Sequence, residues 1–365
     1  MYANDKARSC QTGAASPGCT RGYGGGIIFD ATKFVSYLVN IGASRQRGPE
    51  MPVPIFIIAI CLAGIVPAVA PALAQENKQP EKVSFCFAAQ EDDWQLFMNP
   101  SAFEDVVSGA AKTVFVHLTA GDAGLGVGFG GRKHPFYLAR ENGAEAAIRF
   151  MANANSAPAE RVVAPMTFNS HSIYRVSYRN TVGYFLRVPD GHWSGDGYYD
   201  TGFESLKRLA SGDNETLHAV DGSAIYHGWN DLVATLREIV AYERGNAALI
   251  QVNVAETDAR INPQDHSDHL MTAKAALDAV KDSTCVRRVY YVDYASSQLP
   301  QNLDVQKRDM ESSVLAVTLA GVQALDHSTS WHHYDESFVG RNYFRVQAPA
   351  GRCDSRHATF AASPQ

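Results

Sequence analysis

The chain has little basic charge to spare. Of its 365 residues, 32 are Lys or Arg against 38 Asp or Glu, for a formal net charge of -6. The cations are scattered and build no face of the kind a phosphate backbone requires, so nucleic acid is excluded as an expected partner. Cysteine is also scarce. The six residues include no Cys-x-x-Cys pair, which excludes a thiolate zinc site. Three of them, Cys86, Cys285 and Cys353, follow residue 74. Cys86 lies in an apolar run and reads as a buried thiol, leaving Cys285 with Cys353 as the expected bridge in an oxidising compartment. Long hydrophobic runs are missing from most of the chain. The one candidate, residues 53–66, is interrupted on both sides by proline and is short for a spanning helix of about 20 residues.

That apolar run ends in Pro-Ala-Leu-Ala, and Ala72-x-Ala74 has the small residues that signal peptidase reads. Residues 51–74 are therefore expected to be a signal peptide, cleaved after Ala74, with export to a periplasmic or secreted location. Anchoring through residues 53–74 is the alternative. Residues 1–50 are rich in Gly, Ser and Arg and read as an extension, either disordered or untranslated from a start at Met51. No membrane insertion is expected after cleavage.

From residue 75 onward the reading is a single α/β domain, Rossmann-like, with a mostly parallel sheet and helices on both faces. Strands are expected over 83–89, 113–118, 174–178, 183–188, 248–254 and 286–292. Helices are expected over 137–151, 201–209, 229–242, 268–281 and 305–322, from apolar residues at helical spacing.

Two polar clusters carry the chemistry. Gln90-Glu91-Asp92-Asp93 emerges from the end of the first strand, and Asp265-His266-Ser267-Asp268-His269 opens a helix. An α/β sheet gathers its ligands at the carboxyl ends of its strands, so both clusters are expected there. His266 and His269, three apart, can face one side of the helix mouth. Asp92 and Asp93 are adjacent and point apart, so one can bind a metal while the other serves as base. Gly124 to Gly131 does not fit a dinucleotide or phosphate loop and reads as a substrate-side loop. His327, His332 and His333 read as surface or aromatic-cluster residues, and Trp193, Tyr198, Tyr199, Tyr226 and Trp229 as either sugar-stacking or packing aromatics.

Ala89-Gln90-Glu91-Asp92-Asp93 resembles the Ala-His-Pro-Asp-Asp motif of the PIG-L (LmbE-like) de-N-acetylases, and His266-Ser267-Asp268-His269 is similar to their His-x-Asp-His motif. Leu118 to Gly124 looks like that family's Thr-x-Gly-acid turn, and Arg140-Glu141 like its Arg-Glu helix. The resemblance implies a metal-dependent hydrolase that removes an N-acetyl or other N-acyl group from an amino sugar or glycoconjugate. It implies that Asp93 and His269 hold a divalent metal, with zinc the expected ion, and that Asp92 is the general base. It further implies that His266 steadies the oxyanion as an imidazolium, that Asp268 orients it, and that Arg140 contacts the sugar. Gln90 stands where the family has its first histidine ligand, and an amide oxygen is a neutral, harder donor than imidazole. The rival expectation is a non-catalytic carbohydrate-binding protein on the same scaffold with a degenerate metal site.

Overall fold

The computed structural model describes residues 81–329, 331–350 and 353. The expected extension over 1–50, the signal segment over 51–74 and the cleavage point after Ala74 lie outside the described residues. Among the described residues, no helix is long and apolar enough to cross a membrane.

The domain opens with β1 (Lys82–Ala88), α1 (Asp93–Phe97), α2 (Ser101–Ser108), β2 (Ala111–Thr119) and α3 (Phe136–Ala152). A mostly antiparallel stretch follows: β3 (Val162–Val163), β4 (Met166–Phe168), β5 (His171–Tyr178) and β6 (Thr181–Val188). Then come α4 (Leu206–Ser211), the small hairpin β7 (Thr216–His218) with β8 (Ile225–His227), α5 (Trp229–Arg244) and β9 (Leu249–Ala255). The chain continues through α6 (Ser267–Ala279), β10 (Val286–Tyr291), a 3-10 turn at Tyr294–Gln298, α7 (Val305–Gln323), α8 (Trp331–Ser337) and β11 (Phe344–Gln347).

The main sheet has the order β11-β10-β9-β1-β2-β6-β5-β3, with β4 paired to β5. Its five central strands, β10, β9, β1, β2 and β6, run parallel, and antiparallel strands close the edges. β1 is buried along all but its first residue, without the alternation of a half-wet strand, because helices cover both faces. Val83, Phe85 and Phe87 pack toward α5 and α6, against Leu236, Ile239 and Ala276. Cys86 and Ala88 pack the other way, with Trp94, Met151 and Val314. Burying each such large side chain contributes about 1.5–3 kcal/mol. The expected α/β architecture is the observed one.

Two expectations differ locally. The helix expected over 201–209 is confined to α4, because Gly202 and Phe203 both take positive φ, 65° and 59°, after a 3-10 turn at Tyr199–Thr201. Helical geometry begins only after Ser205, whose hydroxyl accepts the Arg208 N–H at 3.1 Å and caps the first turn. The structure does not draw the expected bridge between Cys285 and Cys353; Cys285 is buried at the entrance to β10, with its backbone in the left-handed region.

Topology places the site. β1 lies between β2 and β9, so the chain leaves β1 to one side and later returns to the other, which makes the carboxyl end of β1 a switch point where a crevice must open. Five parallel strands end at that edge. They deliver Gln90 to Asp93 after β1, Asp122 after β2, Asp190 after β6, the 256–266 loop after β9 and Asp293 after β10.

Candidate metal centre

His269 stands at the middle of the edge, on the first turn of α6, and is almost wholly buried. Its Nε2 is 2.9 Å from Gln90 Oε1 and 3.3 Å from Asp93 Oδ1. Asp93 is turned for this by its own loop, since its other oxygen accepts the Gln90 N–H at 2.7 Å. Ligands about 2.1 Å from a tetrahedral ion lie about 3.4 Å apart, and the two distances from His269 Nε2 fall near that spacing. The set of one amide oxygen, one carboxylate and one imidazole fits such an ion.

The opposite edge of the same ring is equally engaged. His269 Nδ1 lies 2.9 Å from Asp265 Oδ1 and 3.3 Å from Asp293 Oδ2. Asp265 is held in turn by the Asn262 side-chain amide at 2.8 Å. This is the arrangement that fixes a metal-binding imidazole, with carboxylates behind it taking the Nδ1 proton and leaving Nε2 for the ion. Without an ion, burial favours a neutral His269, but the charges of Asp93 and Asp265 and the hydrogen bonds that Asp265 and Asp293 accept outweigh it and hold the ring well above its ordinary pKa; an ion at Nε2 would take that proton's place. Burial, with the neighbouring charge of Asp265, pushes the Asp293 carboxyl up to about 8. The cluster thus holds three acids around one ring, with Asp293 able to keep a proton.

His266 caps α6. Its Nδ1 accepts the Asp268 N–H at 3.2 Å, which leaves the ring proton on Nε2. Burial, and then the charge that His269 carries without an ion, push its pKa down to about 4, where the resemblance implied an imidazolium. Asp268 makes its hydrogen bond to that ring through its backbone. The Asp268 carboxylate is 3.9 Å from His266 Nδ1 and instead accepts the Gly191 N–H at 2.8 Å. It is fully buried beside Asp190, and burial first, then that neighbouring charge, raises its pKa well above the carboxylate range.

Arg140 is tied to the first cluster through Glu91. Glu91 stands in the position of the motif's proline and accepts Arg140 Nε at 2.9 Å, while the guanidinium also pairs with Asp92 Oδ1. Arg140 therefore faces the two acids of the first cluster. Gly121, with φ +52°, lets the turn after β2 lie against this pair: a Cβ there would meet Glu91 Oε2 at 2.6 Å and Arg140 Nε at 2.8 Å. Asp92, Arg140 and Tyr334 line a cavity of about 60 Å³ whose other walls include Phe136, Thr318 and Leu319. His117 is structural: Trp94 Nε1 donates to its Nε2 at 3.1 Å, and its Nδ1 is 3.1 Å from the Tyr184 carbonyl.

The structure thus brings Gln90, Asp92, Asp93, His266, Asp268, His269 and Arg140 to one edge. Sequence reasoning missed Asp293, Tyr294 and Asp190, and assigned Asp265 no role. An acid two residues past a strand, as Asp190 and Asp293 are, was the available signal.

No family model matches the chain, and no curated protein does. Solved structures similar to it include the zinc-inhibited form of teicoplanin deacetylase Orf2, at 14% identity over 73% of this chain and 98% of that one, with a TM-score of 0.38. A deacetylase complex from teicoplanin biosynthesis is 16% identical over 73% of this chain and 97% of that one, TM-score 0.38. The 4-carboxy-2-hydroxymuconate hydratase GalB of Pseudomonas putida is 14% identical over 69% of this chain and 82% of that one, TM-score 0.35.

Proposed function

We propose that the protein is a divalent-metal-dependent hydrolase that removes an N-acyl group, acetyl in the simplest case, from an amino sugar or glycoconjugate. The observation that carries this reading is the convergence of Gln90 Oε1, Asp93 Oδ1 and His269 Nε2 at 2.9 and 3.3 Å, with two carboxylates behind the imidazole. Asp92, next to Asp93 in the chain, and His266, whose ring lies 5.4 Å from that of His269, are read as the base and the oxyanion donor.

A divalent ion held by Gln90, Asp93 and His269 would polarise the amide carbonyl and acidify a water. Asp92 accepts the proton of the attacking water, its carboxylate steadied by Arg140 and set beside the Tyr334 hydroxyl. The same carboxyl then returns the proton to the nitrogen as the C–N bond breaks, releasing an amine and a carboxylate. His266 donates from Nε2 to the oxyanion, a contribution of about 3 kcal/mol for one well-placed donor.

A second reading has its own observation. The Gln90 carbonyl accepts from His269 Nε2 and so satisfies the ring when that nitrogen keeps its proton, as a carbohydrate-binding protein without a metal would have it. Metal content, measured beside amine release from N-acetyl sugars, separates the two. Near one equivalent of ion, lost in Asp93→Ala and His269→Ala together with amine release, supports the hydrolase. A parent that takes up no zinc, manganese, nickel or calcium leaves the binding protein.

A further inference from the structure

We propose that the surface groove floored by Trp193 and Tyr294 is a subsite for a second sugar unit of a glycan substrate, next to the unit that carries the N-acyl group. The proposal rests on the N-acyl sugar reading above. Trp193 is 50% exposed, an unusual position for the largest apolar side chain. It is not a loose surface residue. Its carbonyl accepts the Ser267 N–H at 3.1 Å, and the flanking loop is tied down by Gly191 N to Asp268 at 2.8 Å, Ser205 Oγ to the Gly195 carbonyl at 2.6 Å and Lys207 to the Ser194 carbonyl at 2.7 Å. Gly195, at φ +80°, permits that approach, since a Cβ would sit 2.2 Å from Ser267 Oγ. An indole so fixed to the helix that bears His266 and His269 is preorganised for a ligand.

The aromatic path is continuous with the candidate site. The Trp193 ring meets His266 edge to face at 5.6 Å and Tyr294 at 5.3 Å, and Tyr294 stacks on His269 at 5.0 Å. The groove's rim carries polar groups suited to hydroxyls, among them Gln264, Gln298, His333 and Glu336. A pyranose ring offers the matching surface, an apolar C–H face for the indole and a rim of hydroxyls for the amides and acid. A ligand that spans the two places must be longer than one sugar.

Calorimetric titration with N-acetylglucosamine and its β-1,4-linked tetramer, on the chelated protein so that nothing is hydrolysed, tests this. The parent is expected to bind the tetramer about tenfold or more tighter than the monomer, Trp193→Ala to lose most of that preference and Trp193→Phe to keep part of it. Equal affinities in the parent, no binding of the tetramer, or an undiminished preference in Trp193→Ala overturns the subsite. A tetramer preference that depends on Trp193, in a metal-loaded protein that releases no amine from either sugar, upholds the subsite and sinks the hydrolase reading.

Discussion

At the scale of single residues, the site is organised around one imidazole with acceptors on both edges. Asp92 and Asp93 are neighbours in sequence yet face different partners: Asp93 turns to His269, and Asp92 to Arg140. Asp92→Asn is expected to lower turnover by about 10²–10⁴-fold while leaving metal content unchanged, because the change removes a base and no ligand. Loss of the metal in that variant would show that Asp92 is a ligand. Asp293 acts through His269. Asp293→Asn keeps the shape but weakens the acceptor at Nδ1, and zinc affinity is expected to fall by about 10–100-fold in a competition with a chromophoric chelator. An unchanged affinity would leave Asp265 alone as the orienting acid.

At the scale of elements, the first cluster depends on how closely two helices cross. Gly143 of α3 and Gly321 of α7 meet backbone to backbone: a Cβ on Gly143 would lie 2.6 Å from the Thr318 carbonyl, and one on Gly321 would lie 2.7 Å from Gly143 Cα. Asn142 fastens the crossing by donating to the Gly321 carbonyl at 2.7 Å. α3 also carries Arg140, and α7 supplies Thr318 and Leu319 to the cavity beside Asp92. Gly321→Ala is expected to destabilise the fold by about 1–3 kcal/mol, as overpacking does, and to lower activity beyond that by shifting Arg140 against Asp92. Denaturant unfolding beside a rate measurement checks both parts. A variant with parent stability would mean that the helices part without strain.

At the scale of the whole molecule, stability is tied to pH through buried acids. Glu311 on α7 is fully buried, and one of its oxygens accepts the Gly340 N–H at 2.6 Å, fastening α7 to the segment before β11. Burial pushes its pKa up from the ordinary 4.5 to about 8. The folded state therefore holds a proton that the unfolded chain releases at lower pH. This contribution is whole below the unfolded pKa, shrinks as pH rises between the two values and is gone above the folded one. Glu311→Gln keeps an acceptor for Gly340 without that dependence. Between pH 5 and pH 8.5 the parent's melting temperature is expected to fall relative to the variant's, at about 2–4 °C per kcal/mol lost. Parallel melting curves across that range would refute the assignment.

Much of this was legible before any coordinates. Continuous apolar runs such as 83–89 specify buried parallel strands because nothing else accommodates them, and helical spacing over 229–242 marks a packed face. Adjacency along the chain also made Asp92 with Asp93, and His266 with His269, recognisable as sets. The helix expected over 201–209 failed because positive φ at Phe203 answers to a packed loop and leaves no mark in composition. Only the tertiary structure could decide which atoms of those sets meet. It turned Arg140 onto Glu91 and Asp92, buried His266 beside His269, and brought Asp293 to His269 from a strand two places from β1. Charge state and contact are properties of what surrounds a group in space, and here the surroundings come from five strand ends that the linear order keeps far apart.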